Sequence, residues 1–386
     1  LWSETYEREI DDIFGIQDEI SDAITNALKL ELGVHEAKGR PTENIEAYQL
    51  FLQARHALAK RGADNMHDAI TLFEQAIELD PTFARAYSGA AITWSLLPGY
   101  GGATEMEARQ RANELATKAR QLDPDNPESY VALGRMRGNA QGAIVTAQQN
   151  FEKAYQLAPN DVDVVNLYGD FLFNMGRIEE AEAMERRAME LDPLAAVHYS
   201  DLAFVLLAQG KDEEALDLAR TSARLAPDIV DRQDALLYTL ARNGEFEEAT
   251  QLINYAVENL RGTDKYVNSW RCLVAFEQGN LSGLRQLVQE RVAESHEVNF
   301  NTYSIAAWYT LWLDGSQAAL PLLEKSLEAQ EYMLTWPEFF FLPELISDDP
   351  DFLAFWERPE LRGLMETRRA NWDGRPMGYW RERPQQ

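Results

Sequence analysis

A chain of 386 residues with a single cysteine, Cys272, can hold neither an internal disulfide framework nor a cysteine-based zinc site. Its 36 basic and 64 acidic residues leave a formal charge of −28, a field that repels nucleic-acid backbones and anionic lipid headgroups. No apolar run approaches the roughly 18 residues of a membrane span, and the plainest role of the charge is to keep an extended surface soluble.

Residues 1–34 place Ile13, Ile16, Ile20, Ile24 and Leu28 at three- and four-residue steps, which predicts an amphipathic helix. Residues 35–45, with Gly39, Pro41 and Asn44, read as a linker. From Glu46 onward the chain is punctuated by Leu-x-Pro triplets ending at Pro81, Pro124, Pro159, Pro193 and Pro227, spaced 43, 35, 34 and 34 residues apart. Proline cannot continue a helix and disfavours helix in the residue before it, so a period settling at 34 marks stacked helical hairpins. The longest interval carries about nine extra residues around Leu97-Pro98-Gly99-Tyr100-Gly101-Gly102, and this segment is expected to be a plain inter-helix loop. A slightly long turn is expected at 61–65.

Within the period, Gly134, Gly169 and Ala203 fall where two helices of one unit must approach closely, opposite Ala147, Ala181 and Ala215. Gly176, Gly210 and Gly244, again 34 apart, fall where the first helix stops, a position suited to positive φ. After Pro227 the pattern decays, but Gly244, Gly279 and Gly315 carry the rhythm into hairpins near 230–262, 265–297 and 300–334. Six prolines break residues 336–386, whose end is rich in Arg and aromatics.

Together these features resemble the tetratricopeptide repeat (TPR): a large residue, then Leu-Gly, then Tyr on the first helix, Ala-xxx-Phe-xx-Ala on the second, and a closing Pro. The resemblance implies an all-α, right-handed superhelix, an α-solenoid of about six to eight hairpins. The expected organisation is an N-terminal helix and linker (1–45), a TPR array (46–260), divergent hairpins (261–335) and an irregular cap with an Arg/aromatic tail (336–386). The string Leu1-Trp2-Ser3-Glu4-x-Tyr6-x-Arg8, followed by 12–20 (DIFGIQDEI), is similar to the junction between a TolB-like domain and a C-terminal TPR array in bacterial multidomain regulators. Their effector is commonly a class III adenylate/guanylate cyclase or a winged-helix DNA-binding domain. That likeness implies a regulatory, non-enzymatic interaction module whose chain begins inside a longer polypeptide. The alternative is a free-standing scaffold, and both the bacterial cytoplasm and the periplasm remain open, as does homo-oligomerisation.

No catalytic constellation stands out. The five histidines lack metal-ligand spacing, no Gly-x-Ser-x-Gly elbow occurs, and acidic pairs such as Glu179-Glu180 and Glu247-Glu248 sit where helix starts favour carboxylates. Neither cofactor nor metal is expected. The TPR resemblance places a binding groove on the first helices. Position by position it falls on Asp163, Asn166, Asp170, Phe173 and Asn174, then Ser200, Asp201 and Phe204, then Asp231, Asp234 and Tyr238. The basic clamp that some TPR proteins use for a peptide's carboxylate is missing: Asp170 and Ser200 stand at its positions. An acidic groove with aromatic anchors suits a protein or peptide segment with basic and apolar residues. The chain's own tail, including Arg368, Arg369, Trp372 and Tyr379, offers such a composition.

Overall fold

The computed structural model describes residues 42–100, 102–135, 141–260, 263–293, 302–329, 331 and 347–371. The N-terminal helix expected at 1–34 and the tail beyond Asn371 lie outside them. Among the described residues there is no strand. Eight antiparallel helical hairpins follow one another: α1 (Ile45–Lys60) with α2 (Ala63–Leu79), α3 (Ala84–Leu96) with α4 (Glu105–Leu122), α5 (Pro127–Arg135) with α6 (Gln141–Leu157), and α7 (Val162–Asn174) with α8 (Ile178–Leu191). Then come α9 (Ala196–Ala208) with α10 (Asp212–Leu225), α11 (Val230–Asn243) with α12 (Phe246–Asn259), α13 (Asp264–Glu277) with α14 (Leu281–Ala293), and α15 (Thr302–Asp314) with α16 (Ser316–Glu328). Two further helices, α17 (Pro350–Trp356) and α18 (Pro359–Asn371), close the described chain. Each first helix also packs on the next first helix, so α1, α3, α5, α7, α9, α11, α13 and α15 form one layer of an α-solenoid.

The periodic residues act as their spacing suggests. Gly176, Gly210, Gly244 and Gly279 adopt φ of +77°, +74°, +79° and +70°. At Gly244, for example, its N–H donates to Ala241 O (3.1 Å) while Glu245 N–H reaches back to Leu240 O (2.9 Å), which satisfies carbonyls orphaned at the helix end. The prolines do more than stop helices. Tyr130 and Tyr199 each donate a hydroxyl to the carbonyl of the proline six residues earlier, Pro124 and Pro193, at 3.0 Å, and the Gln233 amide does the same to Pro227 at 3.1 Å. The close-contact glycines are tight: a Cβ on Gly134 would lie 2.8 Å from the Phe151 ring.

One core runs from Ala47 to Met365 through the hairpins and the cap, with a smaller cluster around Cys272, Leu284, Ile305 and Tyr309 between α13, α14 and α15. The turn expected at 61–65 is shorter than its sequence suggests, because α2 already starts at Ala63. Arg61 takes φ +59° to make it, and strain of that kind costs on the order of 1–3 kcal/mol. The cap is not a loose end. The Nε of Arg368 on α18, a fully buried residue, donates to Asn174 O (3.1 Å), and Asn371 donates to Met175 O (3.0 Å), at the C-terminal end of α7.

Candidate binding cavity

The stacked first helices enclose a cavity of about 170 Å³ to which all eight hairpins contribute. Arg61 comes from the first turn, Tyr100 from a 3₁₀ segment (Leu97–Tyr100) after α3, and Arg135 from α5. Asp170 and Phe173 come from α7, Glu185 from α8, Asp201 and Phe204 from α9, and Asp231, Asp234 and Tyr238 from α11. Tyr266 on α13 and Ile305 on α15 complete the wall. Phe204 and Tyr238 meet edge to face at 5.8 Å, an aromatic surface on one side.

Nine of the eleven expected groove residues line this space: Asn166, Asp170, Phe173, Ser200, Asp201, Phe204, Asp231, Asp234 and Tyr238. Two do not. Asp163 faces Arg55 in the first hairpin at 2.8 Å, inside a network in which Arg55 also holds the buried Glu128 at 2.8 Å. Asn174 turns its amide back onto the Asp170 carbonyl at 2.7 Å and onto its carboxylate at 3.1 Å.

The acidic surface expected from the sequence is largely neutralised from within. Arg135 binds Asp170 at 2.7 Å. Arg232, buried on α11, donates to Ser200 and to Tyr100, close to Asp201 and Asp231. The Tyr266 hydroxyl donates to Asp231, and the Trp270 indole donates to Asp234 at 2.5 Å. Burial, and then the Asp231 charge, pushes the Tyr266 phenol well above its usual range, so it remains a donor.

Sequence reasoning missed Arg61, Tyr100, Arg135, Glu185, Arg232 and Tyr266 among these groups. Arg61 sits in a turn, outside the first-helix positions, and Arg135 ends α5 in the third hairpin, one unit before those onto which the groove positions were carried. Tyr100 lies in the segment read as a plain loop; instead that segment folds inward, because Leu97 and Pro98 bury themselves and aim the tyrosine at Arg232. Glu185 was legible: it occupies the slot four residues after Ala181 where the third hairpin has Phe151, four after Ala147.

Glu185 is 1% exposed. One carboxyl oxygen accepts from Asn166 at 2.9 Å, and that same amide donates to Asp201 at 2.9 Å. Burial, then the Asp201 charge, raises this carboxyl well above the usual range, which favours its neutral form. Five carboxyl groups and three guanidinium groups line the cavity, and with Glu185 protonated the balance is −1. Burial pushes the Cys272 thiol up to about 12, out of the range of a nucleophile. Among the described residues no group of carboxylates, histidines and cysteine is placed to hold a metal ion, and no helix is long and apolar enough to cross a membrane.

Comparison with known proteins agrees with this architecture. A sequence model described as "Tetratricopeptide repeat" matches residues 139–199. The chain is 31% identical over 138 residues to "Putative adenylate cyclase 3" of Rhizobium meliloti, covering 34% of this chain and 23% of the relative. It is 26% identical over 153 residues to the transcriptional regulator HilA of Salmonella typhimurium, covering 40% and 28%. The chain thus spans about a quarter of the length of these relatives. In fold it is similar to a human IFIT1 dimer solved with m7Gppp-AAAA: 15% identity, 82% of this chain and 78% of that one, TM-score 0.50. Tetratricopeptide repeats build protein-interaction and scaffold modules. The 34-residue period, the eight stacked hairpins and the match over residues 139–199 show that the chain carries tetratricopeptide-type repeats.

Proposed function

We propose that this chain is a non-enzymatic, partner-binding arm of a bacterial signalling protein, and that its cavity takes a short peptide segment bearing one basic side chain and one large apolar one. The observation that carries this is the convergence of all eight hairpins on a single space walled by Phe173, Phe204 and Tyr238, where carboxyl groups outnumber arginines by a narrow margin. The aromatic wall supplies anchor surface. The internal arginines lower the site's appetite for charge, so a polybasic segment fits less well than one with a single cation. A phosphate-bearing ligand would add anions to an already negative cavity, which argues against it. The chain's own tail beyond Asn371 has the required composition and is one source of such a segment.

The regulatory part of the proposal leans on the likeness to an adenylate cyclase and to HilA, two proteins whose names describe second-messenger synthesis and transcription. Screening the full chain against an immobilised library of capped tetrapeptides tests the binding part. Enrichment of peptides pairing one Arg or Lys with Phe, Leu or Trp is expected, and Phe204→Ala should abolish it. Enrichment of acidic or phosphorylated peptides would overturn the proposal. An effector domain encoded on the same polypeptide supports regulation; a gene encoding the array alone favours a free-standing scaffold.

A further inference from the structure

Glu185 is out of place by the logic of its own repeat. The second helices of other hairpins carry Phe73, Phe151 and Ile253 four residues after Ala69, Ala147 and Ala249, and all of these side chains are buried. On α8 the slot after Ala181 holds a carboxyl group instead. Gly169 on α7 makes room for it: a Cβ there would stand 2.2 Å from Glu185 Oε1, so only glycine lets the carboxyl pass between the two helices to the cavity wall.

No cation meets it there. Arg135 on α5 is committed to Asp170, and Arg232 on α11 to Ser200 and Tyr100. Glu185 Oε2 has only the Asn166 amide, and Oε1 has no hydrogen-bond partner among the described residues. A buried carboxyl without a cation destabilises the fold that contains it, where phenylalanine would have stabilised it. Departures of this kind concentrate at sites that serve a ligand. Asp201 lies across the shared Asn166 amide, and Asp170 is the other carboxylate that faces the group.

We infer that Glu185, with Asp201 beside it, is the base of a socket for one guanidinium or ammonium group, the Arg or Lys side chain of a bound peptide. This rests on the peptide-binding function proposed above and adds where the cation goes. The aromatic wall of Phe173, Phe204 and Tyr238 would hold the aliphatic stem. Entry of the cation ionises Glu185, so the carboxyl proton leaves to solvent as the ion pair forms.

The test is calorimetric titration of the full chain with acetyl-Phe-Arg-Leu-amide and with the same peptide carrying citrulline, the neutral isostere of Arg. The Arg peptide should bind about tenfold or more tightly, as expected when a buried charge gains its partner. Its affinity should rise between pH 5 and pH 8, and its enthalpy should vary with buffer ionisation enthalpy, reporting proton release. Glu185→Gln and Glu185→Phe should each bring the Arg peptide down to the citrulline value while the circular dichroism stays helical. Both peptides binding equally would overturn the socket and leave the peptide-binding function standing. Neither peptide binding would overturn both.

Discussion

A protonated carboxyl in a helical core has a consequence for stability whose sign can be worked out. The folded-state pKa of Glu185 lies above the ordinary 4.5, so the folded chain keeps a proton that the unfolded chain releases. Between those two values stability falls as pH rises. Glu185→Gln keeps the shape and removes the titration. The variant should therefore match the parent near pH 4 and exceed it increasingly toward pH 8, by about 1–3 kcal/mol for a buried group short of partners. Denaturant titrations at four pH values would show it, and a parent whose stability is flat from pH 4 to pH 8 would contradict it. The same side chain makes Gly169 a coupled position. Gly169→Ala alone should cost on the order of 1–3 kcal/mol by overpacking, since the new methyl meets Glu185 Oε1. In Glu185→Ala that obstacle is gone, so the double variant should be more stable than the sum of the two single changes predicts.

Among the elements, the turn glycines separate backbone cost from packing cost. Gly210 and Gly244 have open space around a built Cβ but sit at φ +74° and +79°. Alanine at either should cost about 1 kcal/mol through the left-handed conformation alone. Equal loss at both, measured by urea unfolding, would confirm that these repeats share one turn; no loss at either would show the turns relax. These positions were legible because one backbone geometry recurs every 34 residues and demands the same residue each time. The 3₁₀ segment at Leu97–Tyr100 was not, because nothing periodic says which way an insertion folds. Its direction is set by Tyr100 reaching Arg232 on α11, a hydrogen bond between hairpins two and six. The arginines that neutralise the cavity escaped for the same reason. Arg61 stands in a turn outside the repeat slots, and Arg232 on α11 reaches Tyr100 in the second hairpin across a separation that no local pattern encodes. Of the five expected acids, Asp170, Asp201, Asp231 and Asp234 line the cavity, and each already has a hydrogen-bond or ion-pair partner within the chain.

For the whole molecule, a repeat array usually consists of neighbours touching neighbours, and such arrays lose cooperativity as they lengthen. Here α18 returns to the fourth hairpin, 194 residues back, through Arg368 and Asn174. Arg368, counted in the sequence among the basic and aromatic residues of the tail, binds a helix-end carbonyl, where a cation also complements the helix dipole. Replacing Arg368 and Asn371 by leucine should cut that tie. Far-ultraviolet dichroism and tryptophan fluorescence, expected to coincide during urea unfolding of the parent, should then separate into two transitions. Coincident curves in the variant would mean that the return of α18 carries no cooperativity.

Arg61 stands in the first hairpin and Ile305 in the eighth, yet both wall the same small space. Pulling on the two ends of the array would draw those walls apart long before any helix unwinds, since hairpins slide and splay more easily than their backbone ladders break. Affinity then becomes a gauge of tension: a relaxed chain holds its ligand and a loaded chain drops it. Held in an optical trap, the protein should release a fluorescent Arg peptide at forces below those that unfold the first hairpin, and ligand-bound molecules should be stiffer at low extension than free ones.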